Sequence, residues 1–411
     1  MAVDNGRFGD LIVLLSRFLL RGLFPLSLSV AFAAPTQFTP LPRFDAAAQT
    51  AVQARLTQAF DAPMAARLAL LQHPEARKAL LDIGSTPNAV LAAGWLQEGE
   101  LDLWQALIGS PAKLDNLTSQ TVQTLQQRSQ AAQAAWYRAA AAVALQPLLV
   151  DQQTSAEALA ELARSRRQAG NLSRFDEATT LAEAGQARLA ALQENQEASQ
   201  ALLALRREMG LAPDTLLQLA PLPTPPLGIP RFSGLLDLAR QQNLLARHAL
   251  DAIRQDRSAS EQNMLRQTTL SLPLFSGKNA LGHKENQIGT RLTAESTMHE
   301  LASQITLQES ALVLAQQQWQ HLAQEVFPQR QAANAEAFKH YNGMLRGVDE
   351  LLKSRTAELE THRQLIAAQR DYWLAWLALE SLVGGKLPTP RYDQPPTIPA
   401  PSPIETAPLH H

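Results

Sequence analysis

From about Asp115 to Ala169 the chain reads as one helical tract, with Pro147 its only proline. A turn at "AGNLS", Ala169 to Ser173, leads into a second tract that reaches Met209-Gly210. At about 1.5 Å per residue, such helices run on the order of 60 to 80 Å. They are too long for an ordinary domain, so the fold must be built from long antiparallel hairpins. Gly170 and Asn171 can take the left-handed conformation that ends a helix. Ser173 can cap the next one, and Asp176 and Glu177 suit its first turn. On the return helix, Ala178, Ala182, Gly185, Leu189, Leu192, Gln196, Ser199 and Leu203 alternate four- and three-residue steps. That spacing predicts a coiled-coil-like seam for close packing.

Composition agrees. Aromatic residues make up only 5% of the chain, which favours thin helical layers over a thick core. Lys+Arg 36 against Asp+Glu 38 gives a net charge of -2, so no basic field points to nucleic acid. With no cysteine, disulfides, thiol catalysis, thiolate metal sites and a lipid-bearing cysteine anchor are excluded. His73, His248, His283, His299 and His321 are isolated, and no metal set forms. No phosphate loop, nucleophile elbow or triad order is present, and the sequence implies neither an enzyme nor a cofactor.

The N-terminus carries a secretory pattern over residues 1–33. Arg17 and Arg21 precede "GLFPLSLSVAFA", which ends in Ala31-Phe32-Ala33 and predicts cleavage after Ala33. The first structural unit spans 34–219. Helical periodicity begins near Asp45 and runs to about Ile83, and "GSTPN", Gly84 to Asn88, stops it. After Glu98-Gly99, Leu101, Leu103 and Leu107 take alternate positions, a short hairpin pattern. A linker with five prolines covers 220–230; it prevents helix and favours extended backbone.

The plan then restarts over 231–385. "LARQQNLLARHAL" (Leu238 to Leu250) echoes "LALLQHPEARKAL" (Leu68 to Leu80). A short strand at Leu270, Leu272, Pro273, Leu274 and Phe275 stands where the earlier hairpin did. Another long helix runs toward His340–Leu352, and a last one ends at Gly384-Gly385, its seam Leu352, Leu359, Ile366 and Trp373. The residues from Lys386 through 411 read as a disordered, Pro-rich tail. Ala69 and Ala239 lie 170 positions apart, and Gly170 and Gly343 lie 173 apart. In each half a glycine precedes an acid pair, Asp176-Glu177 and Asp349-Glu350. These agreements together mark an internal repeat.

"LSLPLFSG" (Leu270 to Gly277), the glycine-turn-aspartate pattern in both halves and "LLQHPEARKAL" resemble the TolC-type outer-membrane efflux proteins over roughly Asp45 to Gly385. "STPNAVL" looks most like the branch serving heavy-metal efflux. The resemblance implies a mainly α protein with a small β part. Long coiled-coil hairpins from two repeats would form a trimeric α-helical barrel, and short strands would enter a shared outer-membrane β-barrel. Leu270, Leu272 and Leu274 would then face lipid. One feature departs from the family: "RQDRSASEQNML", Arg254 to Leu265, is polar without alternation where another strand belongs. Either the barrel is trimmed, or this chain no longer spans the membrane.

The same resemblance assigns adaptor-docking tips to Gly170, Asn171, Leu172, Ser173 and to Gly343, Met344, Leu345, Arg346. It places Asp176, Asp349 and Glu350 at a periplasmic entrance, where three copies of Asp349 would ring one axis. Each acid equally suits the first turn of any helix. Arg346 is expected to pair with an acid of a neighbouring hairpin. The implied role is a passive homotrimeric duct in the outer membrane, most of it periplasmic, joined by a periplasmic adaptor to an inner-membrane pump. It would export small molecules or metal cations. A duct for type I protein secretion and a periplasmic scaffold without membrane insertion are the alternatives.

Overall fold

The computed structural model describes residues 46–97, 119–243, 246–247, 250–251, 254 and 277–393, with backbone alone at 277–287, 290 and 393. The secretory pattern, Leu101, Leu103, Leu107, the strand Leu270, Leu272, Pro273, Leu274, Phe275 and the tail beyond 393 lie outside the described residues.

The expected helix from Asp45 to Ile83 is three: α1 Ala46–Leu56, α2 Ala62–Gln72 and α3 Pro74–Asp82. Proline decides the breaks, because it suits a first helical turn and no later one. Asp61 caps α2 by accepting the Met64 N–H at 2.9 Å, and His73 Nδ1 accepts the Glu75 N–H at the start of α3. Gly84 ends the run at φ +73°, and Thr86 caps the short α4, Pro87–Ala92.

The long elements are α5 (Ser119–Gln168), α6 (Arg174–Glu208), α8 (Gly277–His321), α9 (Phe327–Asn342) and α10 (Val348–Val383). A five-residue π-helical turn, Leu322–Val326, joins α8 to α9. The short α7, Leu235–Gln242, precedes α8. Helix α5 packs on α6 and on α10, and α10 packs on α8 and α9. The order across the layer is therefore α6, α5, α10 and the α8–α9 tract.

The main core lies where α2 and α3 meet the upper part of α5 and the end of α6. Phe60, Leu68, Leu71, Trp136, Leu205 and Met209 are all but sealed from solvent there. A second cluster joins Ala239 of α7 to Leu312 and Ile305 of α8 and to Tyr372, Leu379 and Val383 of α10. The predicted α10 seam holds at Leu359 and Ile366, which are buried, while Leu352 and Trp373 are half-buried.

The predicted α6 seam is a correction. Ala178, Ala182, Gly185, Leu189, Leu192, Gln196, Ser199 and Leu203 are all exposed, Leu192 by 61%. The buried face instead carries Ala191, Ala198 and Leu205, also seven residues apart. Alanine wins because it lets the two backbones of the hairpin approach. The leucines are turned away from the chain's own helices.

The repeat is written in backbone contacts. Gly210, just past α6, has φ +70°, and a Cβ there would lie 2.7 Å from His73 Cα. Gly384, capping α10, has φ +82°, and its Cβ would lie 2.6 Å from Asn243 Cα. His73 and Asn243 each end a short helix by donating N–H to Ala69 and Ala239 at 2.8 Å. In both halves, the end of the last long helix touches the end of a short one, α2 in the first and α7 in the second.

The proline segment between the halves is extended, as expected, and pinned. Proline supplies no N–H, so its neighbours' carbonyls are met by side chains: Gln369 donates to Leu222 and Pro223, Trp373 to Pro223 and Gln316 to Pro226. It ends in β1, Ile229–Arg231, paired antiparallel with β2, Arg391–Asp393. The tail expected to be disordered from Lys386 is thus ordered through Asp393, because the ladder and buried Leu387 hold it.

Two alanine substitutions separate strain from contact. Gly170→Ala meets no atom within 4 Å and should cost only the left-handed backbone, about 1 kcal/mol. Gly210→Ala carries the same backbone cost plus a backbone clash and should lower the thermal midpoint markedly further. Helical circular dichroism during heating measures both.

Candidate functional site

Each hairpin ends in a turn of the same geometry. At the first, Gly170 N–H donates to Arg167 O at 3.0 Å and Asn171 N–H to Arg166 O at 2.9 Å. At the second, Met344 N–H donates to Tyr341 O at 3.0 Å and Leu345 N–H to His340 O at 2.9 Å. The left-handed residue is Gly170 in one and Met344, at φ +58°, in the other. Gly343, taken from spacing as the mate of Gly170, has φ -79°. The match is shifted by one residue, so Met344 mirrors Gly170, Gly347 mirrors Ser173 and Glu350 mirrors Asp176.

This shift separates the two aspartates. Ser173 Oγ accepts the Asp176 N–H at 3.0 Å and donates to Asp176 Oδ2 at 2.7 Å, a closed cap. Gly347 starts α10 with no side-chain cap. Asp349 folds back over it, into the space a side chain at Gly347 would need. There the Asp349 carboxylate accepts from Arg166 Nη2 of the first hairpin at 3.0 Å. Partial burial pulls the Asp349 pKa up. The Arg166 hydrogen bond, its own backbone N–H and the charges of Arg166 and Lys353 outweigh that and hold it below the ordinary value.

Arg346 does not reach the neighbouring hairpin. From the turn before α10 it pairs instead with Glu350, four residues on in the first turn of that helix, at 3.0 Å. The bond between hairpins is the one from Arg166, which the sequence presents only as a helix-end cation. Two more arginines extend it: Arg355 to Asp151 at 3.3 Å and Arg363 to Glu194 at 3.0 Å. Their eight-residue separation on α10, about two helical turns, was the available signal. Glu358 completes a network, accepting from Arg355 at 3.0 Å and from Asn334 at 2.6 Å.

The tips present apolar side chains to solvent. Met344 is 94% exposed, Leu345 74% and Phe175 78%. Asn171, Ser173 and Arg346 are exposed beside them, while Leu172 is half-covered. Among the described residues no group of histidines and acids could hold a metal ion. No described helix is long and apolar enough to cross a membrane.

No family model and no curated protein sequence matches the chain. Solved structures do. The outer membrane protein VceC of Vibrio cholerae superposes with a TM-score of 0.52 at 16% identity, covering 78% of this chain and 95% of that one. CusC, whose structures follow folding and transmembrane channel formation, gives 0.53 at 14%, covering 79% and 97%. The CmeC outer membrane channel of Campylobacter jejuni gives 0.52 at 13%, covering 65% of this chain; the chain spans 64% of CmeC. The described helical layer therefore has the fold of TolC-type outer-membrane channels.

The clasp has a pH signature. Asp349's depressed pKa makes its contribution full above the unfolded carboxylate value, roughly 3.9, and lost as pH falls through the lower folded value. The Arg166–Asp349 pair should persist down to about pH 4 and open below it, as carboxyl infrared or NMR titration would read; at its exposure it contributes no more than about 1 kcal/mol. Met344→Gly removes left-handed strain and should stabilise the chain by about 1 kcal/mol, seen as a raised unfolding midpoint.

Proposed function

We propose that the protein is the outer-membrane duct of a tripartite efflux system, a passive homotrimer whose helices cross the periplasm. The observation that carries this is the uncovered face of α6. Leu189, Leu192 and Leu203 are 55%, 61% and 47% exposed in a regular stripe. At the other edge of the layer, Leu292, Leu307 and Leu314 of α8 are more than half exposed. A layer with an apolar stripe on both edges is an open sector, and copies placed edge to edge would close it into a barrel.

In this reading the strand Leu270 to Phe275 contributes to the membrane barrel. The tips, Gly170 to Ser173 and Gly343 to Arg346, dock the periplasmic adaptor, with Met344, Leu345 and Phe175 supplying apolar contact. Asp349 gates the entrance through Arg166, while Asp176 supports the Ser173 cap and Glu350 pairs with Arg346 beside it. Energy comes from an inner-membrane pump, so the duct itself catalyses nothing and the cargo, small molecules or metal cations, is selected elsewhere.

Membrane fractionation and gel mobility before and after boiling test the duct. A detergent-extracted, outer-membrane trimer that resists dissociation unboiled is expected. A soluble periplasmic monomer or dimer would replace the duct with a scaffold. Leu192→Arg should abolish the unboiled trimer while leaving helical content unchanged, since the residue touches no core. For the gate, Arg166→Ala should raise single-channel conductance in planar bilayers several-fold by freeing the tip; equal conductance would remove Asp349 from the gate.

A further inference from the structure

The two repeats close on the same backbone contact with different side chains. In each, the residue that ends the short helix also caps the turn that follows. Asn243 Oδ1 accepts the Ala246 N–H at 3.2 Å, and its Nδ2 donates to Leu382 O at 2.8 Å. His73 stands at the matching place, its Nδ1 accepting the Glu75 N–H at 3.3 Å. An amide oxygen remains an acceptor at every pH. An imidazole keeps Nδ1 as an acceptor only while the ring is neutral.

Pro74 brings no N–H, and the Arg77 N–H reaches His73 O at 3.0 Å. That leaves the N–H groups of Glu75 and Ala76 at the start of α3, and the His73 ring serves the first. Charged groups from three helices face this ring: Glu75 of α3, Arg128 of α5 and Glu208, the last residue of α6. Arg128 bridges the other two, to Glu75 at 2.9 Å and to Glu208 at 3.3 Å. Burial, and then the Arg128 charge, hold the His73 pKa below its ordinary value against the pull of the two glutamates. The fold therefore favours the neutral ring. That contribution is full above the unfolded histidine value, roughly 6.5, and is lost as pH falls through the lower folded value.

We propose that His73 is an acid-sensitive clip on the first repeat, where the second repeat has a pH-insensitive one in Asn243. Once protonated, the ring gives up the Glu75 N–H, turns to the carboxylates of Glu75 and Glu208 and competes with Arg128 for them. The start of α3 loosens together with the end of α6, which meets His73 through Gly210. Asn243 keeps the matching joint closed, so acid changes one half of the layer and spares the other.

Hydrogen exchange by mass spectrometry on the full chain in detergent tests the clip, each rate being divided by the intrinsic rate at that pH. Between about pH 7.5 and about pH 5, which bracket the histidine, residues 75–82 and 205–211 should lose about tenfold in protection. Residues 235–243 and 380–387 should keep theirs. His73→Asn copies the second repeat into the first and should hold protection at both pH values, since asparagine ranks among the best caps. His73→Ala should start at the acid level of the wild type and change no further. No loss in the wild type, or an equal loss in His73→Asn, would overturn the clip. If His73→Ala fails to fold, the asparagine variant decides alone.

Discussion

Every other long helix in this layer depends on α10 being packed on both flanks. It meets α5 on one side and the α8–α9 tract on the other, so among the described helices it joins the two hairpins. A helix in that position needs two apolar faces, and α10 has them only above Leu359. Tyr372, Leu377, Leu379 and Val383 are buried there, and stacking of Tyr137 on Trp373, at 5.8 Å, ties α10 to α5. Below Leu359 the same helix is held by arginines. The strength of the layer thus falls from the core toward the tips, and the polar end is where an opening would cost least.

The two repeats share the contacts that allow no variation and differ where variation is tolerated. Gly210 and Gly384 each lie against the backbone of a short helix end, and no Cβ fits at either. The tips face solvent, and there the repeats have diverged. One has glycine in the left-handed position and a serine cap. The other has Met344 there and a bare Gly347, with Asp349 taken from capping into an inter-hairpin bond. Losing the serine frees the space that the carboxylate fills, so the two differences are one event in structural terms.

The proline segment shows a related economy of donors. A stretch that cannot build its own ladder lies across α8 and α10, and its carbonyls accept from Gln316, Gln369 and Trp373. With β2 laid along its end, it belts the layer where the two repeats join. Its carbonyls would otherwise be unpaired against packed helices, and that cost explains why amide side chains stand at these positions.

The sequence by itself determined the hairpin plan, the turns at Gly170 and near Gly343, the closing glycine at Gly384 and the doubling of the whole. These follow from local chemistry: helix propensity, the proline and glycine exclusions and heptad spacing act within a few residues. It placed the second hairpin turn to within one position, and it put Asp349 in the first turn of α10. Tertiary structure alone decided which α6 face is inward, because two stripes share the spacing and only backbone approach prefers Ala191 and Ala198 over Leu189 and Leu192. It alone moved the repeat match by one residue, since a left-handed Met344 is a bond pattern and not a composition. And it alone gave Asp349 to Arg166, because those residues are 183 positions apart and meet only when α10 is laid against α5.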